Sequence, residues 1–130
     1  MYDQKLMDKA IQHAINNPIK SRGRTSISRM AAVIGNGRTF WIGLNQYKTH
    51  PMMLKFSKDH NKICLHAEVD ALISYNTCLA AGLYGEELDH YDIYVARVLK
   101  DDSPALAKPC NTCFGALSYF GIRNIYWTSF

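Results

Sequence analysis

Apolar positions along this chain recur with two different periods, and the periods predict its elements. Over residues 2–17, Leu6, Met7, Ala10, Ile11, Ala14 and Ile15 fall at i, i+1, i+4, i+5, i+8 and i+9. That is one apolar stripe along a helix, a face that packs on a core. Asn16-Asn17-Pro18 ends it, because proline cannot continue a helix. Met30 to Ile34 is short and wholly apolar, which suits a buried strand. Gly35-Asn36-Gly37-Arg38 reads as a hairpin turn, and Thr39 to Leu44 as the antiparallel strand it returns.

A second helix is expected from His66 toward Ala80 or Ala81, with Asn76-Thr77 a candidate interruption and Gly82 and Gly85 marking its exit. Tyr91 to Leu99 carries Ile93, Val95 and Val98 and reads as a strand. A third helix spans Cys110 to Phe120, entered at Pro109 and left at Gly121. Arg123 to Trp127 or Thr128 is the last strand. Between these lie a basic, hydroxyl-rich loop from Lys20 to Arg29, a long connection from Gln46 to Leu65 and a polar stretch from Lys100 to Ala107. Met52 to Phe56 within the long connection forms a short helical turn. Helices alternate with strands and nothing repeats, so residues 1–130 are one domain of the α/β class.

Composition narrows the picture modestly. A chain of 130 residues with 48% apolar content can bury a core without disulfides. A net charge of +4 permits an anionic substrate but does not require nucleic acid. No apolar run approaches the roughly 20 residues of a membrane span. Met1-Tyr2-Asp3-Gln4-Lys5 lacks a signal peptide's apolar core, so a cytoplasmic location is expected. In that reducing setting a C-x-x-C pair holds metal or does redox work, and Cys64 and Cys78 stay reduced. A thioredoxin-like use of Cys110 and Cys113 needs a βαβ context and no upstream His-x-Glu.

The candidate chemistry lies at two helix starts, His66-Ala67-Glu68 and Pro109-Cys110-Asn111-Thr112-Cys113. Cys110 and Cys113 are i and i+3, on one side of a first helical turn, whose unpaired N–H groups favour thiolate. One imidazole and two thiolates can hold Zn2+ and leave its fourth position for water, the mark of a catalytic rather than a structural site. Glu68 is then placed to shuttle protons, although outside such a motif it would read as an ordinary acidic residue at a helix start. Asn45, at a strand end, offers one acceptor and two donors to a sugar hydroxyl or a base edge, or is simply a turn residue. Arg22, Arg24 and Arg29 are phosphate candidates in a loop that is otherwise a solvated connection. Lys48 and His50 could line the mouth of a pocket. His50, His60 and Cys64 could form a second metal site, against the plainer reading of a polar loop.

H-x-E followed by P-C-x-x-C resembles the zinc-dependent cytidine/deoxycytidylate deaminase superfamily. The resemblance extends to Ala31-Ala32-Val33-Ile34 as first strand, to Trp41-Ile42-Gly43-Leu44-Asn45 as second strand with the substrate asparagine, and to Cys110 through Tyr126. It implies a three-layer α/β/α fold with a mixed sheet of about four strands, C-terminally short. It also implies His66, Cys110 and Cys113 as zinc ligands, Glu68 as catalytic acid/base, and Asn45 and the Ala67 N–H as substrate contacts. Arg24, Arg29 and Lys48 are the further substrate-binding candidates.

The chain departs from the family twice. Asn45-Gln46-Tyr47-Lys48-Thr49-His50-Pro51 replaces the glycine-rich segment of deoxycytidylate deaminases, and the final helix and strand that usually close the pocket are absent. An uncovered sheet edge leads us to expect a homo-oligomer. The expected function is hydrolytic deamination of a cytosine nucleoside or nucleotide. The alternatives are a deaminase of cytosine in single strands or adenosine in tRNA, and a zinc-stabilised binding protein without turnover. Tyr47, Phe56 and Tyr84 are scattered rather than arranged as a stacking platform for nucleic acid.

Overall fold

The N-terminal stripe folds as α1 (Gln4–Ile15) in a computed structural model that describes residues 2–19, 28–48, 50–56, 65–80 and 88–129. Asp3 caps α1, its carboxylate accepting from the Lys5 N–H at 2.9 Å and satisfying one donor left over at a helix start. Leu6, Met7, Ala10 and Ala14 are buried, as the stripe requires.

Five strands make one sheet: β1 (Arg29–Gly35), β2 (Phe40–Leu44), β3 (Asp92–Val98), β4 (Pro104–Ala105) and β5 (Asn124–Trp127). β1 pairs antiparallel with β2 on one side and β3 on the other. β3 also pairs antiparallel with β4 and parallel with β5, so the sheet is mixed. The expected sheet of about four strands gains β4. That strand is only two residues long, too short to leave a period in the sequence, and it lies in the stretch read as a polar connection.

Side chains alternate between the two faces, and both faces are buried. Ala31, Val33, Tyr94, Ala96 and Val98 face α1. Ala32, Ile34, Trp41, Ile93 and Val95 face the opposite way and pack with Leu72, Tyr75 and Leu117. Those last residues belong to α3 (Ala67–Ala80) and α4 (Asn111–Tyr119). The expected three-layer α/β/α arrangement is therefore present. α3 runs unbroken through Asn76-Thr77; the Thr77 hydroxyl donates back to Ile73 O at 2.9 Å, so the polar pair stays within the helix. α4 stops as Gly121 predicts. Gly121 takes φ +78°, its N–H reaches Ser118 O and that of Ile122 reaches Leu117 O, the paired bonds of a Schellman end.

Two local features seat the site. Gly43 on β2 lies directly under α3, where a Cβ would collide with Ala67 O and with the Ala71 backbone. With only hydrogen there, α3 rests on the strand through its own main chain. The long connection is closed at its base by reciprocal 2.9 Å bonds between the Gln46 and Leu65 backbones. It contains α2 (Pro51–Phe56), the expected helical turn.

Candidate active site

His66 and Cys110 both stand where the chain enters a helix. The His66 carbonyl accepts the first bond of α3, from the Asp70 N–H at 3.0 Å. The Cys110 carbonyl accepts that of α4, from the Phe114 N–H at 2.9 Å, with an extended backbone at φ −73°, ψ 170°. Side chains at such positions turn back over the unpaired N–H groups of the first turn. Cys113 lies one turn further along α4. His66 Nδ1 is 3.3 Å from Cys113 Sγ and 3.5 Å from Cys110 Sγ, and the three ligand atoms lie within 4.8 Å of one another. Tetrahedral zinc, with Zn–S of about 2.3 Å and Zn–N of about 2.0 Å, needs edges of about 3.5–3.8 Å. The donor set and its spacing fit that ion.

The hydrogen bond between the two thiols, with help from His66, pushes the Cys110 thiol down to about 3. The same bond, together with burial, pushes Cys113 up. A metal ion bound there would require both sulfurs as thiolates and would release protons on binding.

Glu68 projects from the first turn of α3 and is 2% exposed. Its Oε1 is buried without a hydrogen-bond partner among the described residues. Burial pushes its carboxyl well above the ordinary range, opposed by its own backbone N–H, by the His66 charge and by a hydrogen bond from Cys113. A buried acid with an unused oxygen is costly to fold around, by about 1–3 kcal/mol, and calls for a functional reason.

Asn45 follows β2 and is held rigidly. Its Oδ1 accepts from Asn17 Nδ2 at 2.7 Å and from the Met30 N–H at 2.9 Å, and its Nδ2 donates to Ser28 O at 2.7 Å. Those bonds leave one amide hydrogen for a ligand. Asn17 sets this orientation; it also donates to Met30 O and accepts from the Ile19 N–H. Sequence reasoning took Asn17 only as part of a helix stop. Its partner lies 28 residues away, so no local pattern could have exposed the role.

A cavity of about 410 Å³ opens over these groups, and Asn45, His66, Glu68 and Cys110 share its lining with Arg97 and Lys108. Its size suits a small organic ligand. Arg97 and Lys108 were not foreseen: one lies inside a strand and the other beside the motif, and neither position marks a cavity wall in a sequence.

Other candidates are placed elsewhere. Arg29 does not line the cavity; its guanidinium donates to Ile15 O, Leu99 O and Asp102 at 2.8, 2.6 and 2.6 Å, tying α1 to the far end of β3. Lys48 is exposed and outside the lining. Ala67 is buried at the first position of α3, where its N–H has no acceptor within the helix. His50 caps α2 through its ring, accepting from the Met52 N–H at 3.0 Å. Arg22, Arg24, His60, Cys64 and Tyr84 lie outside the described residues. Among the described residues His66, Cys110 and Cys113 are the one group able to hold a metal, and no helix is long and apolar enough to cross a membrane.

The model of the cytidine and deoxycytidylate deaminase zinc-binding region matches residues 1–129. A comparison with curated proteins finds no match. Among solved structures the chain is similar to a guanine deaminase from Bacillus subtilis, at TM-score 0.56 and 20% identity over 99% of this chain. It spans 65% of the length of that structure. It is similar to a cytidine deaminase from Burkholderia pseudomallei as well, also at TM-score 0.56 and 20% identity, over 93% of this chain and 78% of that one. At such identity these likenesses establish a shared fold.

Proposed function

The chain belongs to the cytidine and deoxycytidylate deaminase zinc-binding region family, and on that premise we propose that it is a zinc-dependent hydrolytic deaminase of a cytosine nucleoside or nucleotide. The observation that carries the reading is Glu68: a buried carboxyl with an unpartnered oxygen, beside a His-Cys-Cys triad at one cavity. Zinc held by His66, Cys110 and Cys113 would act as a Lewis acid and bring the pKa of a bound water from about 16 to about 7. The remaining work falls to the chain. Glu68 accepts a proton from the attacking water and delivers it to the ring nitrogen next to the amino-bearing carbon. It then takes the hydroxyl proton from the tetrahedral carbon and passes it to the amino group, which leaves as ammonia. The carbonyl oxygen comes from water, and the ring nitrogen keeps its proton.

Asn45 presents its one unused amide hydrogen to the sugar, and the Ala67 N–H serves the ring carbonyl. The burial of Glu68 keeps bulk water from short-circuiting the transfers.

The test is ammonia release by zinc-loaded protein. The panel holds cytidine, deoxycytidine, their monophosphates, the adenine and guanine counterparts, and single-stranded oligonucleotides. Glu68→Ala is run beside the wild type. Release from a cytosine monomer, lost in Glu68→Ala, is expected. Release confined to purines or to oligonucleotides would replace the substrate class. Silence across the panel with zinc bound would favour a binding protein.

A further inference from the structure

Arg29 lies in β1, Arg97 in β3 and Arg123 just before β5, and two of these three are paired with carboxylates. Arg29 meets Asp102 at 2.6 Å and Arg123 meets Asp92 at 3.0 Å. Arg97, the third, has no carboxylate within ion-pair distance among the described residues. Its Nε donates to the Ser28 hydroxyl at 2.8 Å and its Nη1 reaches Leu106 O at a long 3.4 Å. Nη2 has no acceptor among the described residues. Lys108 lines the same cavity from the segment that leads into α4. Among the described residues Glu68 is the only acidic side chain in the lining.

Charge is therefore distributed along the cavity. Glu68 is 2% exposed, whereas Arg97 is half-buried and Lys108 exposed. A ligand entering with its ring toward Glu68 leaves its tail beside two cations.

We infer that Arg97 and Lys108 form an anion subsite for the phosphate of a nucleoside 5′-monophosphate bound with its base at the Glu68 end. Ser28 braces the guanidinium at Nε and Leu106 O takes one weak bond from Nη1, so Nη2 and the second Nη1 hydrogen remain as planar donors of the kind that match phosphate oxygens in pairs. Lys108 adds a point charge. Ser28 also accepts from Asn45 through its backbone, so one residue sets both the amide that meets the sugar and the cation that meets the phosphate. The assignment rests on the deaminase reading for the direction in which the ligand lies.

Binding tests it independently of turnover. Zinc-loaded Glu68→Ala protein is titrated with cytidine and guanosine and with their 5′-monophosphates, at low and high salt. At least one monophosphate is expected to bind about tenfold or more tighter than its nucleoside, the size a hydrogen bond to a charged group supports. Adding Arg97→Gln should bring that ratio close to one while the nucleoside affinity holds. Lys108→Gln, at an exposed side chain, should lower the ratio by a smaller factor. High salt should do the same. Arg97→Lys, which keeps the charge but not the fork, should retain part of the ratio and guards against a misfolded glutamine variant.

A ratio near one in the Glu68→Ala protein overturns the assignment, as does a ratio unchanged by both Arg97→Gln and Lys108→Gln. Tighter binding of a single-stranded oligonucleotide than of any monophosphate overturns it in favour of a polymer. Failure of ammonia release in the Glu68-bearing protein would count against deamination and leave this ratio standing.

Discussion

The two faces of the sheet are both sealed from water but are built from different material. On one, α1 lays Leu6 and Met7 over Val33, Tyr94 and Val98, and the layer is held by packed side chains. On the other, α3 comes down on Gly43 with Ala67 and Ala71 at the contact, so main chain rests on main chain. The first face gains stability from area, at about 1.5–3 kcal/mol for each large side chain fully buried. The second packs Trp41, Tyr75 and Leu117 but gives up side-chain volume at Gly43, where α3 comes close, and it carries a buried carboxyl with one oxygen unpartnered among the described residues. One face is thus packing alone, while the other combines packing with the chemistry, and the first can be disturbed without the second.

The largest effect should come from Glu68→Gln. With its proton carrier gone, kcat should fall by about 10²–10⁴-fold, while metal analysis still finds zinc bound. Loss of zinc in that variant would mean that Glu68 supports the metal cluster instead. Removing zinc with a chelator comes next. A metal present at a thousandfold over its Kd contributes about 4 kcal/mol. Amide exchange should therefore accelerate in the first turns of α3 and α4 while α1 keeps its protection; equal acceleration in α1 would erase the division between faces.

Paired substitutions sharpen it further. Leu6→Ala should cost about 2–5 kcal/mol in denaturant unfolding and leave kcat and zinc content per folded chain unchanged. Gly43→Ala should cost about 1–3 kcal/mol by overpacking, yet reduce both kcat and zinc content, because α3 must lift from β2 and carry His66 and Glu68 with it. The smallest effect joins the faces. Asn17, just beyond α1, holds Asn45 at 2.7 Å, and Asn17→Ala should raise KM several-fold, near the ~1 kcal/mol of one hydrogen bond, with kcat little changed.

The elements were legible wherever a period had room to repeat. α1, β1, β2, β3, α3, α4 and β5 all lie where the spacing of apolar residues and the flanking Gly, Pro and Asn place them. β4 was not, since two residues cannot show a period. The metal group was legible because chelation depends on residue type and short spacing: Cys110 and Cys113 share one helical turn, and Glu68 follows His66 by two. The cations were less so. The basic loop drew attention to Arg29, which the fold spends on Ile15, Leu99 and Asp102, while Arg97 inside a strand drew none and lines the cavity.

By itself, then, the sequence determined the order and type of every strand and helix except β4, and it singled out His66, Cys110 and Cys113 as a candidate metal group. These follow from hydrophobic period and from donor chemistry, both local properties of the chain. Only the tertiary structure decided which arginine lines the cavity, that Asn17 orients Asn45, and that Gly43 sets the height of α3. Each of those depends on partners distant in sequence, as with Asn17 and Asn45 at 28 or Arg97 and Ser28 at 69, and the chain brings such pairs together only when the sheet forms. A strand position marks which face a side chain takes, but what stands on that face is chosen by the packing of other elements.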